Sequence, residues 1–174
     1  MALKLTELVT QARRKGRVRR VREFPIAKDV ILWRPVGGEL THGDLPVLFT
    51  LTHAHAVRYT GLLREHAARV AREKPDRQIP KTITAWETTR ALRLLDLPEN
   101  DVPFVEELER TGFFGGPLSD ARREDLVEDV EEFDRGAAIL HLGKHGWDGI
   151  VERANQEGEV WIVDPDRVLR HRRT

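Results

Sequence analysis

Short runs rich in β-branched and aromatic residues lie towards both ends of this chain, and helical patterning occupies most of the interval between them. Asp29–Trp33 (DVILW) and Pro46–Leu51 (PVLFTL) come early, and Glu159–Val163 (EVWIV) comes late. Each predicts a strand. Thr82–Glu87 alternates as a further strand, and Leu92–Leu97 fits a companion strand or a helix end. A turn at Asp164-Pro165-Asp166 leads to a last strand over Arg167–His171. Helices are predicted over Leu3–Ala12, His53–Glu73, Val102–Arg110 and Leu118–Phe133. The second is the clearest: Tyr59, Leu63, Ala67 and Val70 recur at spacings of three and four, and Pro75 closes it. Arg17–Phe24 fits a continuation of the first helix or a strand, and Pro25 is expected to end either. Gly136–Leu142 and Trp147–Ala154 fit short helical or strand pieces. There is no regular strand–helix–strand alternation and no glycine-rich turn opening a helix, so the pattern points to an α+β fold and away from a doubly wound sheet.

A length of 174 residues suits one domain over 1–174, with 1–24 as a basic N-terminal helix or arm and 25–174 as the core. Cysteine is absent, which removes disulfides, thiolate nucleophiles and cysteine-ligated metals. There is no long apolar run, and the opening MALKLTELVTQARRKG has no continuous apolar stretch, so no membrane span, no signal peptide and a cytoplasmic location are expected. The net charge of zero hides an asymmetry. Residues 1–95 carry 19 Lys and Arg against 9 Asp and Glu, whereas 96–174 carry 10 against 20. The basic excess peaks at Arg13, Arg14, Lys15, Arg17, Arg19, Arg20 and Arg22, and the acidic excess between Asp96 and Asp134. Such blocks attract a nucleic acid, a charged partner or each other; the internal or solvated reading is favoured.

Three separated segments carry the chemical signal. Ile31-Leu32-Trp33-Arg34 is an apolar strand ending in arginine. Leu48-Phe49-Thr50-Leu51-Thr52 is a strand followed by Ala54, Ala56 and Tyr59 on a helix. Gly146-Trp147-Asp148-Gly149-Ile150-Val151 precedes Glu157-Gly158-Glu159 and the strand Val160–Val163. Together they resemble the ADP-ribosyltransferase family. In that family one strand ends in Arg or His, a second carries an aromatic-Ser-Thr-Ser pattern, and a late strand opens with the catalytic Glu. Thr50 and Thr52 stand in for serines, and Glu157-x-Glu159 is similar to the Glu-x-Glu of arginine-directed members. Pro35 occupies the position after the Arg where the family usually has Gly, and it offers no N–H to the nicotinamide amide. The resemblance implies split antiparallel β-sheets with flanking helices and NAD as substrate. It implies a toxin or phage effector, bacterial or phage-encoded, whose partner is a macromolecular acceptor (protein or nucleic acid) or an antitoxin or inhibitor.

The resemblance assigns roles by residue. Breaking the nicotinamide–ribose bond passes through an oxocarbenium-like state, which a carboxylate beside the 2′-hydroxyl stabilises as charge develops. Glu159 is that carboxylate, and Thr50 or Thr52 holds it by a hydroxyl. Arg34 offers its planar fork to ribose or phosphate oxygens. Tyr59 or Trp161 packs against nicotinamide, and Glu157 binds a guanidinium acceptor or orients the nucleophile. Other chemistries fit less well. His53 and His55 are one residue apart, which on a helix points them in different directions, and no helical metal-ligand pair exists, so no metal is expected. Ser119, the only serine, is an N-cap candidate and not a nucleophile. Two non-enzymatic readings stay open. One is a catalytically silent scaffold that binds nucleic acid through Arg13–Arg22; the other is a phage structural or assembly protein whose charged blocks dock on neighbouring chains.

Overall fold

The computed structural model describes residues 22–35, 46–71, 83–98, 100–128, 133–153 and 158–172. Its strands are β1 (Glu23–Ile26), β2 (Ile31–Arg34), β3 (Val47–Thr50), β4 (Thr84–Thr88), β5 (Leu92–Leu97), β6 (Gly149–Glu152), β7 (Glu159–Ile162) and β8 (Leu169–Arg172). Its helices are α1 (His53–Ala71), α2 (Val102–Arg110), α3 (Asp120–Glu128), α4 (Arg135–Lys144) and α5 (Pro165–Val168). The α+β class therefore holds. The eight strands form one sheet in the order β1-β5-β6-β7-β3-β2-β4-β8. Every neighbouring pair is antiparallel except β5–β6, which is parallel.

Several expectations are corrected. The antiparallel sheets are not split: β2 and β3 share one rung, Trp33 opposite Thr50, and it joins the two halves. The Thr50 hydroxyl, directed at the Trp33 carbonyl at 3.2 Å, reinforces that junction. Pro25 does not end its segment but lies inside β1, opposite Arg93. β1 is the sheet's edge, where a residue without an N–H is tolerated. Of the helix predicted over Leu118–Phe133, Asp120–Glu128 forms α3, and 129–132 lie outside the described residues. Ser119 caps α3, its Oγ accepting from Arg122 N at 3.2 Å, and Asp134 caps α4, the helical form of the piece expected over Gly136–Leu142, through Ala137 N at 2.9 Å. The turn at 164–166 is a cap followed by the short α5, with Asp164 accepting from Arg167 N. The predicted helix over Leu3–Ala12 and the basic stretch up to Arg20 lie outside the described residues.

The core has two parts because the sheet buries both faces. Leu94 belongs with Leu32, Phe49, Val160 and Ile162 on one side. Its neighbour Leu95 belongs with Phe104, Leu108, Ile139 and Leu142 of α2 and α4 on the other. Adjacent strand residues face opposite ways, so β5 needs apolar residues almost continuously. Each of these side chains contributes about 1.5–3 kcal/mol on burial. No helix among the described residues is long and apolar enough to cross a membrane.

Among the described residues, four arginines of the acidic half pair with six of its own carboxylates. Arg153 pairs with Asp96, Arg135 with Asp101 and Glu152, Arg123 with Glu109 and Asp120, and Arg110 with Glu107. Arg90–Asp148 and Arg170–Glu87 cross between the halves. Glu107 is the exception to surface pairing, since its side chain is fully buried. Burial pushes its carboxyl up. Hydrogen bonds from Arg110 and from the Trp147 indole at 2.8 Å, with the charges of Arg110 and Arg93, more than offset this, and the net direction is down. Folding therefore favours the ionised form. That stability is complete above the ordinary value of 4.5 and is lost as pH falls through the lower folded value. Glu107→Gln is expected to cost about 1–3 kcal/mol at pH 7 and to flatten the acid side of the stability profile. Urea melts from pH 7 to pH 3 read this out; a variant with the wild-type acid slope would contradict it.

Candidate active site

The sheet register brings three of the predicted segments together. Glu159, the first residue of β7, stands opposite Thr50, the last of β3, and Thr50 stands opposite Trp33 of β2. On the other side Glu159 stands opposite Glu152 of β6. Cross-strand partners share a face, so Glu152, Glu159, Thr50 and Trp33 form one row, with β-carbons about 5 Å apart between neighbours. Gly158 sets the start of β7. Its φ of +71° suits glycine, a β-carbon there would meet Leu51 Cδ1 at 2.4 Å, and its carbonyl accepts from Leu51 N.

Helix α1 closes over the row. Thr52 caps it, its hydroxyl oxygen accepting from His55 N at 3.2 Å and its carbonyl from Ala56 N. The cap turns His55 inward, where it is 7% exposed, with Nε2 3.7 Å from Glu159 Oε1. That separation is too long for a direct hydrogen bond and close enough for strong attraction when the imidazole is protonated. Tyr59, one turn on, meets His55 edge to face at 6.3 Å. Burial pushes the Tyr59 phenol up, and the negative charges of Glu159 and Glu152 push it further, so it stays a neutral donor beside two carboxylates. His53 leaves on another side of the helix and packs edge to face with Trp33 at 4.6 Å. Two like charges opposite each other would repel. Here Arg135 holds Glu152 at 2.5 Å while also bonding Asp101 and lying over the Phe104 ring.

The remaining predicted residues are placed as follows. Thr50 is fully buried, and its hydroxyl is directed at the carbonyls of Trp33 (3.2 Å) and Thr52 (2.9 Å). Trp161 is half-buried against the α2–α4 side of the core, its indole N–H buried without a hydrogen-bond partner. Arg34 follows Trp33 and, by strand alternation, starts on the opposite face from the row. It stands where β2 and β3, having shared one rung, part company. No ion pair or side-chain hydrogen bond to Arg34 occurs among the described residues, and burial lowers its affinity for its proton. Glu157 lies outside the described residues.

Sequence reasoning did not single out Glu152, nor His55 as a neighbour of Glu159. The usable signal for His55 was its i, i+4 spacing to Tyr59 on a helix that starts directly after the Thr50 strand. Nothing local linked Glu152 to Glu159, because their pairing depends on how the segment between them returns the chain. Among the described residues, no group of three or more His, Asp or Glu is arranged to hold a metal ion.

The fold and site define an α+β protein with a carboxylate-centred, aromatic-rimmed site where the two halves of the sheet join. No family model matches the chain, and neither a curated protein nor a solved structure does.

Proposed function

We propose that the protein is an NAD-dependent mono-ADP-ribosyltransferase whose chemistry rests on Glu159. The observation that carries this reading is the row in which Glu159, Thr50 and Trp33, from three distant segments, stand side by side on adjoining strands. The strand ending in Arg34, the Phe49-Thr50-Leu51-Thr52 strand and the strand opening with Glu159 are neighbours in one sheet, which supports the reading, while Arg34 itself starts on the face opposite Glu159. In the proposed reaction the C1′–N bond of the nicotinamide riboside breaks and its electron pair leaves with nicotinamide. The C1′ atom then bonds to the acceptor nucleophile, whose proton passes to solvent. Glu159 accepts the ribose 2′-hydroxyl and stabilises positive charge at C1′. His55 and Tyr59 limit the motion of that carboxylate, and the Trp33–His53 pair offers an aromatic edge to the leaving ring. The acceptor is proposed to be a protein side chain, with arginine favoured by Glu157.

The test is incubation with labelled NAD and cell lysate, comparing wild type with Glu159→Gln. Transfer by wild type and its loss in the variant are expected; equal label in both would sink the proposal.

Arg34 supplies a second test. A half-buried guanidinium with no carboxylate partner among the described residues costs stability, and a bound anion would offset that cost. It is proposed to hold the dinucleotide phosphates where β2 and β3 part. Arg34→Met is expected to keep or raise the melting temperature while raising KM for NAD about tenfold, with a smaller change in kcat. A variant that loses stability and keeps its KM would show that the arginine is structural.

A further inference from the structure

A second candidate site lies at the other end of β7, independent of the reading above. A cleft of about 330 Å³ opens beside Val163, which follows β7, and is bounded by the residues before β5, those before β6 and the start of α5. Its polar lining consists of Arg90, Arg93, Arg167, Asp148 and Asp164, and the Trp147 indole forms a wall. Its volume is at the low end for small-molecule sites and suits one or two phosphoryl groups with a small substituent.

The lining carries three guanidinium groups against two carboxylates, and Arg93 also pairs with Glu23 outside it. Arg90 is committed to Asp148 through both terminal nitrogens, at 2.9 and 2.5 Å, and Asp148 also accepts from Arg93 N at 2.9 Å. That carboxylate is saturated and neutralised. Arg93 lies 4.2 Å over the Trp147 ring and directs Nε at Glu23, which is not part of the cleft lining. Trp147 is itself fixed from behind by its bond to Glu107, so the stack is built from the core outward. Arg167 has no ion pair and no side-chain hydrogen bond among the described residues, while its backbone N–H goes to the Asp164 cap. Gly146 lines the cleft at φ +88°, a backbone conformation that favours glycine. Asp164 has no ion pair among the described residues, and it can accept from hydroxyl groups.

We propose that this cleft binds a phosphoryl anion, held by the guanidinium of Arg167 and the stacked guanidinium of Arg93. The anion is either free or carried on a small hydroxylated molecule. Calorimetric titration of the full chain with inorganic pyrophosphate and, separately, with ribose 5-phosphate distinguishes the two sources. Saturable binding of at least one probe is expected, weakening as salt rises from 50 to 200 mM, on the order of the change in screening length. Arg167→Ala removes an exposed side chain that pairs with none of the described residues, and it is expected to leave the fold intact and to weaken binding about tenfold. Arg93→Lys keeps the charge, loses the planar stack and is expected to weaken it as well. Glu159→Gln, at the far end of β7, is expected to bind as wild type does. Absence of saturable binding by either probe overturns the proposal, and so does binding that Arg167→Ala leaves unchanged. Neither result bears on NAD turnover, so failure here and failure of the proposed transferase activity are separable.

Discussion

Glu159→Gln is expected to reduce nicotinamide release from NAD by about 10²–10³-fold, the loss typical when one group stabilising transition-state charge is removed. The substitution keeps the shape of the side chain and deletes its charge. The rung to Thr50 is made by backbone, so the register that positions residue 159 survives. The side chain is 29% exposed, and losing its charge removes a repulsion from Glu152. The melting temperature should therefore stay within about 2 °C of wild type. Because the carboxylate acts most strongly on the oxocarbenium-like state, kcat should fall far more than KM rises. Release of nicotinamide followed by chromatography, beside a thermal melt of each protein, measures both. A folded variant releasing nicotinamide at the wild-type rate would remove Glu159 from the chemistry.

Gly149→Ala is expected to abolish soluble folded protein, or to cost at least about 4 kcal/mol where protein is recovered. A β-carbon at Gly149 would stand 1.9 Å from the carbonyl oxygen of Trp161 and 2.9 Å from its carbonyl carbon. These are backbone atoms of the neighbouring strand, and no rotamer change relieves them. Gly149 opens β6, an interior strand, between Ile162 of β7 and Leu94 of β5, with which β6 runs parallel. Relief would require β6 and β7 to separate, exposing Ile150, Val151, Val160 and Ile162, all fully buried. Expression and a thermal melt read the outcome. A variant with the wild-type melting temperature would mean that the two strands approach less closely than described.

Much of the local structure was legible in the amino-acid order. Val102–Arg110 was predicted with the boundaries that form, and α1 began at His53 as its spacing required. Leu92–Leu97 was ambiguous between strand and helix because a segment buried on both faces has no alternation to read. Pro25 was misread as a terminator because its tolerance in β1 depends on that strand lying at an edge, and edge position is not a local property. In the site, Glu159, Thr50 and Tyr59 carried local signals. Trp33 was passed over for its neighbour Arg34, since the residue facing the row depends on a one-position register that the partner strand decides.

By itself, the sequence determined where strands and helices form, which residues are apolar enough to be buried, and which few polar side chains stand at strand ends. Propensity, capping and punctuation act over a few residues and are written locally. Only the tertiary structure decided that the two halves join through the Trp33–Thr50 rung, that Glu152 faces Glu159, and that His55 closes on them from α1. The first and the last of these contacts unite separate segments of the chain, and the middle one depends on the register of the β6–β7 pair. They are selected by burying both faces of one sheet together, a global balance that no single segment encodes.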